Sequence, residues 1–406
     1  MNIVLNTNVV SPHTVPLILS LKEILGEDKV KYVFHNSPSD PIRSLGEYSK
    51  IAKISIDSRK NIEISREASI ESDVLIQNVR DFYVMGARAR RKAPTFYVSE
   101  RWFKPIRLDA LTKSEYAKGT GVAIPGFFKL IFPFVIKRVL KIVKLMNDRQ
   151  NRFMYLPIGV FAARDMARIC GLINGDLSCV FRAPQLEFER HVGGRIWVKG
   201  STPMSVVNRK YCLDKMRMWG YFVAKSDCDT RMGKNVKEQC RVLWIGRLLG
   251  CKCVDTIIQA IVGLKNLRKN DVTLPHFVLD IYGKGPEEKR LRELVKENND
   301  VIRFFPYVSY NDVRMIMREH DILVLSSNAF EGWGAVVNEA IEEGIKVLGT
   351  YEAGASATVL PEECLFHAGD WRQLMKLLCS KIPSLCPADW SSKSAANKLI
   401  KLINVM

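Results

Sequence analysis

Histidine is scarce in this chain, with six in 406 residues, so ready proton shuttles at neutral pH are few. None of the ten cysteines precedes Cys170, and their only close pair is Cys251-x-Cys253. Neither a disulfide framework nor a zinc ribbon is supported, and the thiols read as small apolar residues of a reducing compartment. No uninterrupted apolar run approaches the ~20 residues of a membrane-spanning helix, so any membrane attachment is expected to be peripheral. The opening Met1-Asn2-Ile3-Val4-Leu5-Asn6 lacks a basic leader and a sustained apolar core, and a cytoplasmic location is expected.

The length suggests two or three domains, given ~100 to 200 residues for each. Hydrophobic residues at 47% and charged residues at 26% exclude wholesale disorder and a fibrous protein. Lysine and arginine number 61 against 43 acidic residues, a net charge of +18. Such an excess implies a polyanionic partner: nucleic acid, an anionic membrane surface or a phosphorylated substrate.

Short β-branched runs alternate with helical patterns in the second half. Residues 241–245, 276–282, 301–305, 321–325 and 346–348 read as strands, and residues 254–267, 286–297, 310–318 and 333–343 as helices. Strands and helices alternating at this spacing require crossovers, hence a parallel sheet covered on both faces. The first half repeats the rhythm more weakly, with strands at 3–6, 31–34, 74–77 and 95–98 and a helix at about 14–25. The expected class is α/β, two Rossmann-like domains facing a cleft: residues 1–224, a polar linker at 225–239, and residues 240–386. Ala395, Leu399, Ile400, Leu402 and Ile403 fall at helical spacing, so residues 387–406 are expected to form a terminal helix packing back toward the first domain.

Two stretches carry chemistry. After the strand ending at Leu325 comes Ser326-Ser327-Asn328-Ala329-Phe330-Glu331-Gly332-Trp333-Gly334-Ala335-Val336-Val337-Asn338-Glu339. Glycines at a helix mouth let backbone approach a ligand, and the first amides are unsatisfied donors at a positive dipole end. That suits a phosphate, and the carboxylates Glu331 and Glu339 suit sugar hydroxyls. An ordinary strand-to-helix turn with exposed acids fits the same residues. The second stretch, Gly246-Arg247-Leu248-Leu249-Gly250-Cys251-Lys252, puts two cations at the carboxyl end of a strand, where open α/β sheets bind ligands. Arginine as a planar fork and lysine as a point charge could hold a diphosphate, or both could be solvated.

Arg247 with Lys252 five residues on, the turn Gly283-Lys284-Gly285-Pro286 and Glu331-x7-Glu339 occur in order, and residues 241–343 closely resemble the donor-binding domain of the retaining GT-B glycosyltransferases of family four, glycosyltransferase group 1. The resemblance is strong over about the last 170 residues and general over the first 220 or so. It implies that Arg247 and Lys252 bind the donor diphosphate and that Glu331 touches donor-sugar hydroxyls, the three forming the catalytic set. It further implies that Glu339 accepts from the ribose, that the backbone of Gly334, Ala335 and Val336 cradles phosphate oxygens, that Gly283 belongs to the donor cleft, and that Pro306, Tyr307 and Val308 hold the base. The donor would be a UDP- or GDP-sugar, with no further cofactor and no metal. The acceptor would be a hydroxyl of a glycan or lipid-linked glycan in bacterial surface polysaccharide synthesis.

The chain departs from the family in places. The loop Asn8-Val9-Val10-Ser11-Pro12-His13 lacks the usual glycine pair, and His13 reads as a loop histidine or an acceptor contact. Where members carry a histidine, Ser99-Glu100-Arg101-Trp102 offers Glu100 and Arg101, either positioning residues or a surface ion pair. Cys253 replaces a glycine, which is tolerable if that residue merely opens a helix.

No acidic residue occurs from Lys118 to Asn147. On a helix Lys137, Lys141 and Lys144 share one side with Arg138 near them, while Phe134, Val135, Val139, Ile142 and Val143 cover much of the rest. Pro133 would break or start that helix, so Phe127 and Phe128 before it would insert separately. The pattern points to docking on an anionic leaflet, and a core helix with a solvated lysine face is the plainer alternative. A nucleotide-sugar epimerase needs converging acid and base groups, against which the few histidines count. A nucleic-acid module has only the charge in its favour, and no such partner is expected.

Overall fold

The computed structural model describes residues 1–9, 14–36, 55–57, 62–102, 106–107, 123–124, 133–186, 188–191, 194–198, 206–224, 239–308, 310–385 and 390–406. His13, Phe127, Phe128 and residues 225–238 of the expected linker lie outside the described residues.

Among the described residues two six-stranded parallel sheets organise the chain. The first comprises β1 (Ile3–Val9), β2 (Val30–Asn36), β3 (Ser55–Asp57), β4 (Val74–Gln77), β5 (Thr95–Ser99) and β6 (Phe153–Pro157), in the order β3-β2-β1-β4-β5-β6. The second comprises β7 (Gln239–Ile245), β8 (His276–Tyr282), β9 (Ile302–Phe305), β10 (Ile322–Leu325), β11 (Lys346–Thr350) and β12 (Leu365–Phe366), in the order β9-β8-β7-β10-β11-β12. Every residue of β4, β6 and β10 is buried, the signature of strands covered on both faces.

Each sheet starts at a central strand, runs outward for two strands, then returns to the other side of the first. β4 thus pairs with β1, and β10 with β7, all in parallel. Where neighbouring strands send their connections in opposite directions, the loops at their carboxyl ends part and leave a crevice. The fold therefore marks two sites in advance: beyond β1 and β4, and beyond β7 and β10.

The terminal helix Ser392–Val405 packs on helix Val15–Leu25 of the first sheet, as the apolar spacing implies. Ser20 and Ser392 hydroxyls lie 2.9 Å apart, and Lys393 pairs with Glu23 at 3.1 Å. An aromatic seam joins the halves where the chain crosses. Phe222 stacks on Trp390 with centroids 5.8 Å apart, Trp390 lies 5.9 Å from Trp333, and Tyr221 meets Trp333 edge-on at 6.1 Å. A Cβ on Gly159 would sit 2.9 Å from the Trp333 ring, so small residues set the close approach.

Pro133 starts the basic helix, which runs Pro133–Asn147. Its face is divided differently from the pattern on paper. Val139, Ile142, Val143 and Met146 are buried at i, i+3, i+4 and i+7 in the core beside β6, so they are unavailable to a membrane. The apolar side chains left outside are Phe134, Ile136 and Leu140, interleaved with the exposed Lys137, Arg138, Lys141 and Lys144. Among the described residues no helix is long and apolar enough to cross a membrane.

Candidate functional site

Beyond β7 the loop 246–252 lies against the turn that follows β8. The Gly246 amide donates to the Tyr282 carbonyl at 3.0 Å and the Leu248 amide to the Lys284 carbonyl at 3.1 Å. The two backbones approach so closely that a Cβ on Gly283, at φ +154°, would overlap the Gly246 carbonyl oxygen, and one on Gly285 would overlap that of Leu248. The Gly-Lys-Gly-Pro element is thus the floor on which the Arg247 loop rests. Arg247 is exposed on that loop.

Lys252 ends a short turn, Gly250–Lys252, and Cys253 then opens helix Val254–Arg268 in the left-handed conformation, φ 47° and ψ 44°. The expectation that Cys253 is tolerable merely as a helix opener is corrected. A left-handed L-residue costs about 1–2 kcal/mol, and only glycine adopts that region freely. Cys253→Gly is expected to stabilise the fold by about 1 kcal/mol, seen as a higher urea midpoint with unchanged slope. A lower midpoint would show that the half-buried thiol contributes more than the backbone loses.

Beyond β10 the loop 326–335 is tied to the first one. The Ser326 hydroxyl donates to the Lys252 carbonyl at 2.6 Å, and the Asn328 amide to the Cys251 carbonyl at 2.9 Å. These bonds bring together residues 79 apart in sequence: Lys252 Nζ pairs with a Glu331 carboxylate oxygen, which also accepts from the Ser327 hydroxyl at 3.1 Å. The lysine side chain is 22% exposed and the glutamate 13%, so solvent screens the pair less than a surface bridge.

The loop then turns through Gly334 at φ +90°, where a Cβ would come 2.6 Å from a Leu325 methyl. That conformation is not helical, so the helix expected at 333–343 is the shorter Val336–Glu342. Trp333 anchors the turn: its ring N–H donates to Asn338 at 2.8 Å, and its carbonyl accepts from the Ala355 amide at 2.7 Å. The amides of Val337, Asn338 and Glu339 are engaged by the Gly334 and Ala335 carbonyls, so Gly334, Ala335 and Val336 present the amides at the open, positive end.

Glu339 is buried, 6% exposed. Burial pushes its carboxyl up to about 7, Glu343 adding to the rise and Arg314 opposing it. A ribose hydroxyl donating to this carboxylate would favour the ionised form. Nucleotide affinity should accordingly rise between pH 6 and 8 and level off above, with Glu339→Gln flattening the profile in calorimetric titrations. The fold itself responds oppositely: because the folded carboxyl titrates above its unfolded value, stability falls as pH rises through that window.

Pro306, Tyr307 and Val308 follow β9 at the same carboxyl edge, with Tyr307 43% exposed. Glu100 and Arg101 follow β5 in the other half. Glu100 accepts from the Tyr221 hydroxyl at 2.5 Å, and Tyr221 in turn meets Trp333. Arg101 reaches Asp165 at 3.8 Å and covers the Phe161 ring. Each is thus tied into the first half or its crossing. Sequence reasoning missed Ser327, Tyr221 and Trp390: a serine and two aromatics give no signal until the fold sets them beside Glu331 and Trp333. Among the described residues no three metal-ligating side chains gather.

Whole-chain comparison gives the class. HepE of Anabaena, in complex with UDP, superposes with a TM-score of 0.55 at 13% identity, covering 100% of this chain and 98% of that one. The lipopolysaccharide outer core galactosyltransferase WaaB in its apo form gives 0.55 at 12% identity, covering 100% and 99%. The chain has the GT-B fold of these proteins. Residues 230–380 match the family of glycosyl transferases group 1. The GtfA subunit of a UDP-N-acetylglucosamine–peptide N-acetylglucosaminyltransferase of Streptococcus agalactiae is 28% identical over 110 residues, 27% of this chain. That match spans only about a fifth of the relative, 20% of its length.

Proposed function

We propose that the chain is a retaining glycosyltransferase that moves a sugar from a UDP- or GDP-sugar to a hydroxyl of a glycan or lipid-linked glycan, without a metal ion, in bacterial surface polysaccharide synthesis. The observation that carries this reading is the pairing of Lys252 with the Glu331 carboxylate at the switch point of the second sheet, with Arg247 exposed on the same 246–252 loop. Two cations there can hold a diphosphate and offset the charge that grows on it as the bond from the anomeric carbon to the phosphate oxygen breaks. The acceptor oxygen forms the new bond on the same face, and its proton passes to the departing phosphate. Glu331 holds donor-sugar hydroxyls, Glu339 the ribose, the 334–336 amides the phosphate, and Pro306, Tyr307 and Val308 the base. Glu100 and Arg101 position the reacting sugar from the opposite wall.

Release of UDP or GDP from UDP-glucose, UDP-galactose, UDP-N-acetylglucosamine and GDP-mannose tests the reading, with the product's anomeric proton coupling observed by NMR. An α-linked product formed equally well with EDTA is expected. A β-linked product, or activity abolished by EDTA, would contradict retention or metal independence respectively.

Attachment to an anionic leaflet from the cytoplasmic side goes with this function. Phe134, Ile136 and Leu140 supply apolar contact, and Lys137, Lys141 and Lys144 supply charge at about 1 kcal/mol each near the surface. Replacing the three lysines with glutamine should lower co-sedimentation with phosphatidylglycerol vesicles on the order of a hundredfold at low salt. Unchanged co-sedimentation would remove the helix from the account.

A further inference from the structure

The switch point of the first sheet holds a second pocket, a small cavity of about 60 Å3 partly open to solvent and sized for a substituent group rather than a whole sugar ring. Its walls come from the ends of β1 and β4, the start of helix Val15–Leu25 and the crossing segment Trp219–Phe222. Leu5, Leu17, Ile76 and Trp219 make much of it apolar. Among them stands Gln77, the last residue of β4, with its side chain fully buried and neither its amide oxygen nor its amide nitrogen hydrogen-bonded among the described residues.

An unpaired carboxamide in an apolar wall costs folding free energy, and a leucine or methionine of similar length would avoid the cost. A polar group kept there at the fold's own ligand position is therefore a recognition group in waiting. What complements it is another amide: a carbonyl to accept from Nε2, an N–H to donate to Oε1, and an apolar end for the surrounding wall. The geometry points to a subsite for the acetamido group of an N-acetylated amino sugar, with Gln77 as the specificity-determining residue. One pocket wall, Tyr221, also touches Trp333 of the Glu331 loop, so a sugar with its acetamido group seated here lies beside the transfer site. This inference rests on the glycosyltransferase reading. It adds the class of sugar selected.

The test uses the full chain and Gln77→Met. UDP and GDP binding are measured first by calorimetry, since the absence of both in the wild type would count against the transferase reading alone. With the nucleotide that binds in place, N-acetylglucosamine and glucose are titrated as free sugars for the acceptor arm. UDP-N-acetylglucosamine and UDP-glucose are compared for the donor arm. The wild type should prefer the acetylated sugar by about tenfold or more in one arm, and Gln77→Met should abolish that preference while leaving nucleotide affinity unchanged. The same variant should melt about 1–3 °C higher, because an unpaired buried amide has been removed. Wild-type indifference to the acetyl group in both arms, or a preference retained in Gln77→Met, would overturn the inference. So would a lower melting midpoint, which would mean that the amide is already satisfied in the folded protein.

Discussion

Alanine at Lys252 should lower transfer roughly a hundred- to a thousandfold, because the proposed mechanism would lose one of the two charges it sets against the leaving diphosphate. Glu331→Gln should separate binding from chemistry. Lys252 is paired with Glu331, so a diphosphate held by the lysine would share it with that carboxylate. Removing the negative charge frees Lys252, and UDP affinity should rise several-fold. Transfer should nevertheless fall, by about a hundredfold, since the proposed carboxylate contact to the donor sugar would be lost. A fall in both UDP affinity and rate would show that Glu331 supports the loop and does not compete for the lysine.

Gly283→Ala should unfold the donor cleft without touching a charged residue. The added methyl overlaps a backbone oxygen, which cannot rotate away, so the 246–252 loop must move. A cost on the order of 3 kcal/mol or more is expected, together with loss of nucleotide binding because Arg247 leaves its place. Gly175→Ala is the matched control. Gly175 also has positive φ, +91°, but its Cβ would meet nothing within 4 Å, so only the backbone cost of about 1–2 kcal/mol applies. Equal losses in the two variants would refute close packing of the two turns.

Much of the second half was legible on paper because its strands are short, largely apolar and separated by helical patterns. The 276–282 strand occurs with the bounds read from the sequence, as does the 310–318 helix. The helix after Glu331 was overextended because composition does not reveal that Gly334 takes a positive φ. In the first half β6 escaped notice: Phe-Met-Tyr-Leu-Pro shows no alternation, and its role is evident only once Tyr155 is paired with Tyr97 of β5. The basic helix was recognised as a helix, but its buried stripe depended on which neighbour it packs against. The donor-loop residues were singled out by the family resemblance rather than by their types alone, and of them the fold pairs Lys252 with Glu331. Gln77 was not, since a lone glutamine at a strand end carries no pattern and matters only through what fails to pair with it.

The most direct measurement is calorimetric titration of the full chain with UDP, GDP and ADP, repeated on Arg247→Ala. The account predicts saturable binding of UDP or GDP, at least tenfold weaker in the variant. Equal affinity in the two proteins, or no binding of any nucleotide, would contradict a diphosphate site built from Arg247 and Lys252.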